Sequence, residues 1–184
     1  GGMGVRMAAP DRDVFVMVGD GSFLMMSQEL VTAVSERIKI IVVLVQNHGF
    51  ASIGALSESL GSQRFGTSYR YRNQETHRLD GDVLPVDLAA NAESLGVRVL
   101  RASGVDELRK ALREAKEYDG GPVLVHVETD PLVTAPDSES WWDVPVPEVA
   151  HIDSTQQARV VYDEHKQTQR LHLRQTRSSK EGMQ

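Results

Sequence analysis

Apolar residues fall in two kinds of pattern along this chain. Asp13 to Val18 reads DVFVMV and closes on Gly19-Asp20-Gly21, and Ile40 to Gln46 reads IIVVLVQ. Short apolar runs, rich in β-branched residues and bounded by turn residues, predict strands covered on both faces. Between them Leu24, Val31, Val34 and Ile38 recur at near-helical spacing, which predicts a helix from about 23 to 37 with Ser22 as its cap. Strand, helix and strand make one βαβ unit with a parallel pair. Residues 48–82 break the pattern: they are rich in Gly, Ser and Arg, and only Ala51 to Leu60 suits a short helix. A stretch of that length without periodicity predicts a functional loop or lid. Alternation then resumes, with a helix over Val86 to Leu95, a strand over Val97 to Arg101, a helix over Val105 to Tyr118 and a strand over Val123 to Glu128.

The alternation predicts an α/β fold: a doubly wound, mainly parallel sheet with helices on both faces. It assigns residues 1–130 to that domain and 131–173 to a C-terminal extension carrying a polar helix from about 154 to 171. A frayed tail is expected over 174–184.

Composition narrows the chemistry. Of 184 residues, 40% are hydrophobic and 25% charged, which suits a packed globule rather than a disordered chain. Twenty Lys and Arg against 26 Asp and Glu give a net charge of −6, a poor basis for general nucleic-acid binding. There is no cysteine, so thiol nucleophiles, disulfides and thiolate metal sites are excluded. The apolar run Ile40 to Val45 falls far short of the roughly 20 residues that cross a bilayer. No secretion signal is recognisable, and the expected compartment is the cytoplasm.

The candidate chemistry lies at the two strand ends. Asp20 follows the first strand and Asn47 follows the second, 27 residues later. In a βαβ unit those ends share one sheet edge, and neighbouring strands about 4.8 Å apart would let both side chains reach one ion. Asp and Asn oxygens, with a backbone carbonyl, are hard ligands suited to Mg²⁺. The glycines flanking Asp20 allow close approach of phosphates, and the Gly21 and Ser22 amides open a helix whose dipole favours an anion. A lone Gly-Asp-Gly is a weak signal by itself, and neither a Walker loop nor a dinucleotide fingerprint is present.

A Gly-Asp-Gly followed after 25 to 30 residues by Asn resembles the diphosphate motif of thiamine-diphosphate enzymes. Three stretches narrow the resemblance: Asn47 to Gly54 (NHGFASIG), Leu56 to Gly66 (LSESLGSQRFG) and Glu139 to Val146 (ESWWDVPV). These are similar to the trihydroxycyclohexanedione hydrolases of myo-inositol catabolism, over roughly residues 1–171. The resemblance implies Mg²⁺ bound by Asp20, Asn47 and the Gly49 carbonyl. It implies a diphosphate held by Gly21 and Ser22, with Gly19, His48 and Phe50 completing the cofactor contacts and the 50–82 loop closing over them. It implies hydrolytic opening of a cyclic polyhydroxy diketone to 5-deoxyglucuronate. It also implies a homo-oligomer, dimer or tetramer, with no nucleic acid and no membrane. Such enzymes carry pyrimidine-binding and middle domains ahead of this one, and the activating glutamate lies in the former. The opening Gly1-Gly2-Met3-Gly4 suits either a start at Met3 behind a cloning scar or the tail of something longer; because barely eighteen residues precede Gly19, the resemblance implies the C-terminal part of a longer enzyme, holding no catalytic residue of its own and inactive alone. The same sites would serve an acetohydroxyacid-synthase-like carboligase, or a non-catalytic magnesium-diphosphate module.

Other residues have plainer expectations. His48 suits a ligand contact or an ordinary turn. Arg64, Arg70 and Arg72 suit an anionic ligand or solvent, and His77 is expected to be exposed. His126, inside an apolar strand, is expected to be a satisfied core histidine. Trp141 and Trp142 are expected to anchor the extension. Phe23, Leu24, Met25 and Phe50 are the candidates for an exposed apolar patch.

Overall fold

A computed structural model describes residues 1–133, 136 and 140–169. The expected tail at 174–184 and Glu139 of the ESWWDVPV stretch lie outside the described residues. Contacts divide the chain into two compact units, one of residues 1–58 with 63–136, the other of 59–62 with the described part of 137–184.

The first unit is built on a parallel sheet of four strands among the described residues: β1 (Phe15–Gly19), β2 (Ile41–Gln46), β3 (Arg98–Ala102) and β4 (Val123–Glu128), in the order β1-β2-β4-β3. Its helices are α1 (Gly2–Ala8), α2 (Asp20–Met26), α3 (Glu29–Ser35), α4 (Ala51–Ser59), α5 (Leu88–Ser94) and α6 (Val105–Glu117). Strand alternation sorts the core into two layers. Val42, Leu44 and Leu124 pack with Phe23, Leu30, Ala33, Leu88 and Ala92 on one face. Ile41, Val43, Val123 and Val125 pack with Ala111 and Ala115 of α6 on the other. A central strand covered on both faces is mostly apolar, which is why β2 reads apolar from Ile41 to Val45 and β4 from Val123 to Val127 but for His126. The fold is therefore the doubly wound α/β sheet that the alternation predicts.

Three local expectations are corrected. The single helix over 23–37 is two helices, because the Ser27 and Gln28 carbonyls accept from the Leu30 and Val31 amides in tight i to i+3 turns. Ser22 is not a cap: α2 starts at Asp20 behind Gly19, and no side chain caps it. The break also rotates the buried stripe, so Phe23, Leu30 and Ala33 face the core while Leu24 and Val31 are exposed. Phe23 accordingly drops out of the apolar surface patch. Helix α1 has no counterpart in the sequence expectations.

Residues 62–87 contain no helix but are not free. Tyr71 N–H donates to Asp82 O, Leu84 N–H to Tyr69 O, and Arg70 bridges Val83, so the segment folds back on itself. It also pairs with the turn after β2: Phe50 N–H donates to Thr67 O (2.7 Å), Tyr69 N–H to His48 O (3.0 Å), and Gly49 bridges Ser68.

The second unit centres on α7 (Asp153–Thr168). Ser154 Oγ and Thr155 Oγ1 donate to the Gly61 carbonyl at 2.6 and 2.9 Å. Trp141 stacks on His165 (centroids 5.6 Å apart) and leans on Tyr162. Asp143 accepts from Tyr162 and pairs with Lys166, which holds its carboxyl below the usual range. Trp141 thus anchors the extension upon its own helix, whereas Trp142 is 69% exposed.

Candidate functional site

The register of β1 and β2 sets Gly19 opposite Val45, so Asp20 and Asn47 leave the sheet side by side. Asp20 is 1% exposed. A buried carboxylate needs compensation. Asp20 accepts three backbone N–H groups: Gly21 to Oδ1 (3.1 Å), Asn47 to Oδ2 (3.2 Å) and Gly49 to Oδ2 (2.9 Å). The carboxylate thereby ties the start of α2 to the turn after β2.

That turn depends on its backbone. His48 sits in the left-handed region (φ 59°), which reverses the chain between Asn47 and Gly49. Gly49 cannot carry a side chain, because a Cβ there would lie 2.2 Å from the Thr67 carbonyl oxygen. At Gly21 the Phe50 ring takes the space, 2.4 Å from where a Cβ would be.

One terminal atom of the Asn47 amide lies 3.0 Å from the Gly49 carbonyl oxygen and 3.3 Å from Asp20 Oδ1. With the nitrogen turned inwards it donates to both; with the oxygen turned inwards, three oxygens converge. Oxygens at adjacent corners of an octahedron with bonds of about 2.1 Å stand about 3.0 Å apart. The spacing and donor types therefore fit a small hard cation such as Mg²⁺. Among the described residues no three His, Asp or Glu side chains cluster as an alternative metal site.

The remaining expected residues take different positions. Ser22 is exposed, in the first turn of α2. Phe50 is half-buried, its ring edge-to-face with Tyr69 at 6.1 Å. His48 is turned to a cavity of about 690 Å³ at the C-terminal edge of β2, β4 and β3, lined also by Gln46, Asp87, Arg101, His126 and Glu128. There the buried Gln46 amide joins two histidines. Its Nε2 donates to the Val86 carbonyl (3.2 Å) and lies 3.2 Å from His48 Nδ1, while its Oε1 meets His126 Nε2 at 2.9 Å. His48 Nδ1 is then the acceptor, and its Nε2 faces Glu128, 3.6 Å away. His126 is satisfied in the strand as expected, and burial pushes its pKa down. Arg64 pairs with Glu58, Arg70 donates to Gly81 O and Arg72 to His77 O, so these arginines brace the 62–87 segment. His77 is exposed.

Two residues of this region escape sequence reasoning. Gln46 had a signal, as the polar end of an apolar strand. Tyr69 had none, since it lies in an aperiodic loop. Its hydroxyl is, among the described residues, the one buried side-chain polar atom with no hydrogen-bond partner, an arrangement that costs roughly 1–3 kcal/mol. Burial, and then the Asp20 charge, raise its pKa to about 12.

A parallel α/β sheet with an Asp–Asn–carbonyl cluster at the joined ends of β1 and β2 defines the class. Residues 1–127 match the C-terminal TPP binding domain of thiamine pyrophosphate enzymes, and the chain belongs to that family. Solved structures agree in fold. A thiamine diphosphate-dependent 4-hydroxybenzoylformate decarboxylase from Rhodococcus jostii RHA1 superposes with a TM-score of 0.55 at 23% identity, over 70% of this chain and 22% of that one. Benzoylformate decarboxylase from Polynucleobacter necessarius gives 0.56 at 22% identity, over 72% and 22%. Within the family, the chain is 41% and 40% identical over 158 residues to 3D-(3,5/4)-trihydroxycyclohexane-1,2-dione hydrolases 1 and 2 of Bacillus cereus. Each match covers 86% of this chain and 24% of the hydrolase, so the chain spans about a quarter of the length of these relatives. No helix among the described residues is long and apolar enough to cross a membrane.

Proposed function

We propose that this chain is the cofactor-binding part of a thiamine-diphosphate-dependent hydrolase that opens the ring of a trihydroxycyclohexane-1,2-dione to 5-deoxyglucuronate. The observation that carries the cofactor assignment is the Asn47 amide, whose terminal atom lies 3.0 Å from the Gly49 carbonyl oxygen and 3.3 Å from Asp20 Oδ1. The substrate class rests on the identity to the hydrolases. Asp20, Asn47 and Gly49 would hold Mg²⁺, which would offset the diphosphate's charge, and Gly19, Gly21 and Ser22 would hold the diphosphate. Phe50, packed over Gly21, excludes water from the cradle. When bound, thiamine diphosphate supplies the electron sink for carbon–carbon cleavage. His48, with Gln46, His126 and Glu128, lines the neighbouring cavity and can hold a proton at its Nε2. The activating glutamate comes from a pyrimidine-binding portion beyond this chain, in a homodimeric or homotetrameric enzyme, and the chain alone is inactive.

The test supplies the whole protein that carries this sequence with Mg²⁺, thiamine diphosphate and the cyclic diketone, and follows the product by NMR. Ring opening that depends on the cofactor is expected. Condensation of pyruvate to acetolactate with no ring opening would place the protein among the carboligases instead.

A further inference from the structure

The Tyr69 hydroxyl is buried without a partner, in a structure whose other buried side-chain polar atoms, among the described residues, are satisfied. Its surroundings fix where it belongs. The Tyr69 N–H is bonded to the carbonyl of His48, between the two candidate ligands Asn47 and Gly49. Its ring packs edge-to-face on Phe50, and Phe50 covers Gly21 at the start of α2. The phenol therefore stands beside the cradle, held by the same backbone pairing that shapes the Gly49 turn. Buried polar groups are ordinarily paired, and an unpaired one calls for an occupant that satisfies it.

We propose that Tyr69 is a further binding residue of this site, its hydroxyl donating a hydrogen bond to an anionic oxygen of the metal-bound diphosphate. The proposal rests on the cofactor assignment above and adds a contact which that assignment does not contain. Three features suit the role. The phenol O–H is a hydrogen-bond donor. The backbone pairs on both sides of Tyr69, to His48 and Leu84, position it before any ligand arrives. The Phe50 ring beside it shields the bond from water, and a hydrogen bond to a charged oxygen is among the stronger kinds.

The experiment uses Tyr69→Phe in the whole protein that carries this sequence, since Phe keeps the ring and its contact with Phe50. Calorimetry measures the Kd of thiamine diphosphate with Mg²⁺ and, separately, of inorganic pyrophosphate with Mg²⁺. Thermal unfolding without ligand is followed alongside, and Asp20→Ala serves as the reference. The expected result is a Kd weakened about tenfold or more for both ligands. The ligand-free Tm should be equal to or above wild type, because an unsatisfied hydroxyl has been removed. Wild-type affinity in Tyr69→Phe while Asp20→Ala is impaired overturns the Tyr69 contact alone. A loss confined to thiamine diphosphate, with pyrophosphate unaffected, also overturns it, because the hydroxyl would then address the organic part of the cofactor. Wild-type affinity in Asp20→Ala overturns the site itself, and Tyr69's role with it.

Discussion

Gly49 has backbone where a side chain would go: a β-carbon would lie 2.2 Å from the Thr67 oxygen and 2.9 Å from the Ser68 Cα. Neither atom can swing aside as a side-chain end could. Gly49→Ala is expected to cost about 1–3 kcal/mol of stability and to weaken diphosphate binding as the turn shifts. Urea unfolding checks the first effect, and an unchanged midpoint would show that the 67–68 segment yields freely. His126 gives a pH signature. Burial lowers its folded pKa below the ordinary value of about 6.5. As pH falls through that value the unfolded chain takes up the proton first, so stability declines towards acid and levels off below the folded pKa. Urea titrations between about pH 7.5 and 5 should show that decline, and His126→Gln, which retains a donor for Gln46, should flatten it. An equally steep decline in the variant would assign the slope to other groups.

At the scale of elements, the second unit has an aromatic cluster of its own, so its stability can be probed separately. Trp141→Ala removes the ring that stacks on His165 and leans on Tyr162. Hydrogen exchange should speed up along α7 (Asp153–Thr168) while β2 and β4 stay protected. Uniform acceleration everywhere would mean that the two units unfold together. Elements also show what a sequence reveals. The strands β2 and β4 were legible because burial on both faces demands short, mostly apolar runs, and α6 because its Gly104 and Gly120 punctuation is local. The split of α2 from α3 was not, since nothing in Ser27-Gln28 forbids a continuous helix; the tight turns there are set by packing of Phe23 and Leu30. Asp20 and Asn47 were legible because a βαβ unit brings their strand ends together. Tyr69 was hidden because only the pairing of 67–69 with 48–50 brings it to the site, and loop pairing leaves no periodic trace.

At the scale of the whole molecule, β1 is an edge strand that shows apolar residues to solvent. Strand β1 pairs only with β2 among the described residues, and it shows Phe15 and Met17 to solvent, Met17 at 80% exposure. Met25 and Met26 on α2 are exposed as well. An apolar strand edge and exposed methionines are surfaces that recruit partners or aggregate. The 184-residue chain alone is expected to bind a hydrophobic dye and to self-associate in light scattering, and Met17→Lys should reduce both. A dye-silent, monodisperse wild-type chain would show that this edge needs no cover. The central claim is that Asp20, Asn47 and Gly49 hold the cation that anchors a diphosphate. Calorimetric titration of thiamine diphosphate into the whole protein, with and without Mg²⁺, for wild type and Asp20→Ala, tests it most directly. Tight binding that requires Mg²⁺ and is lost in Asp20→Ala is the predicted result; metal-independent binding, or wild-type affinity in the variant, would contradict it.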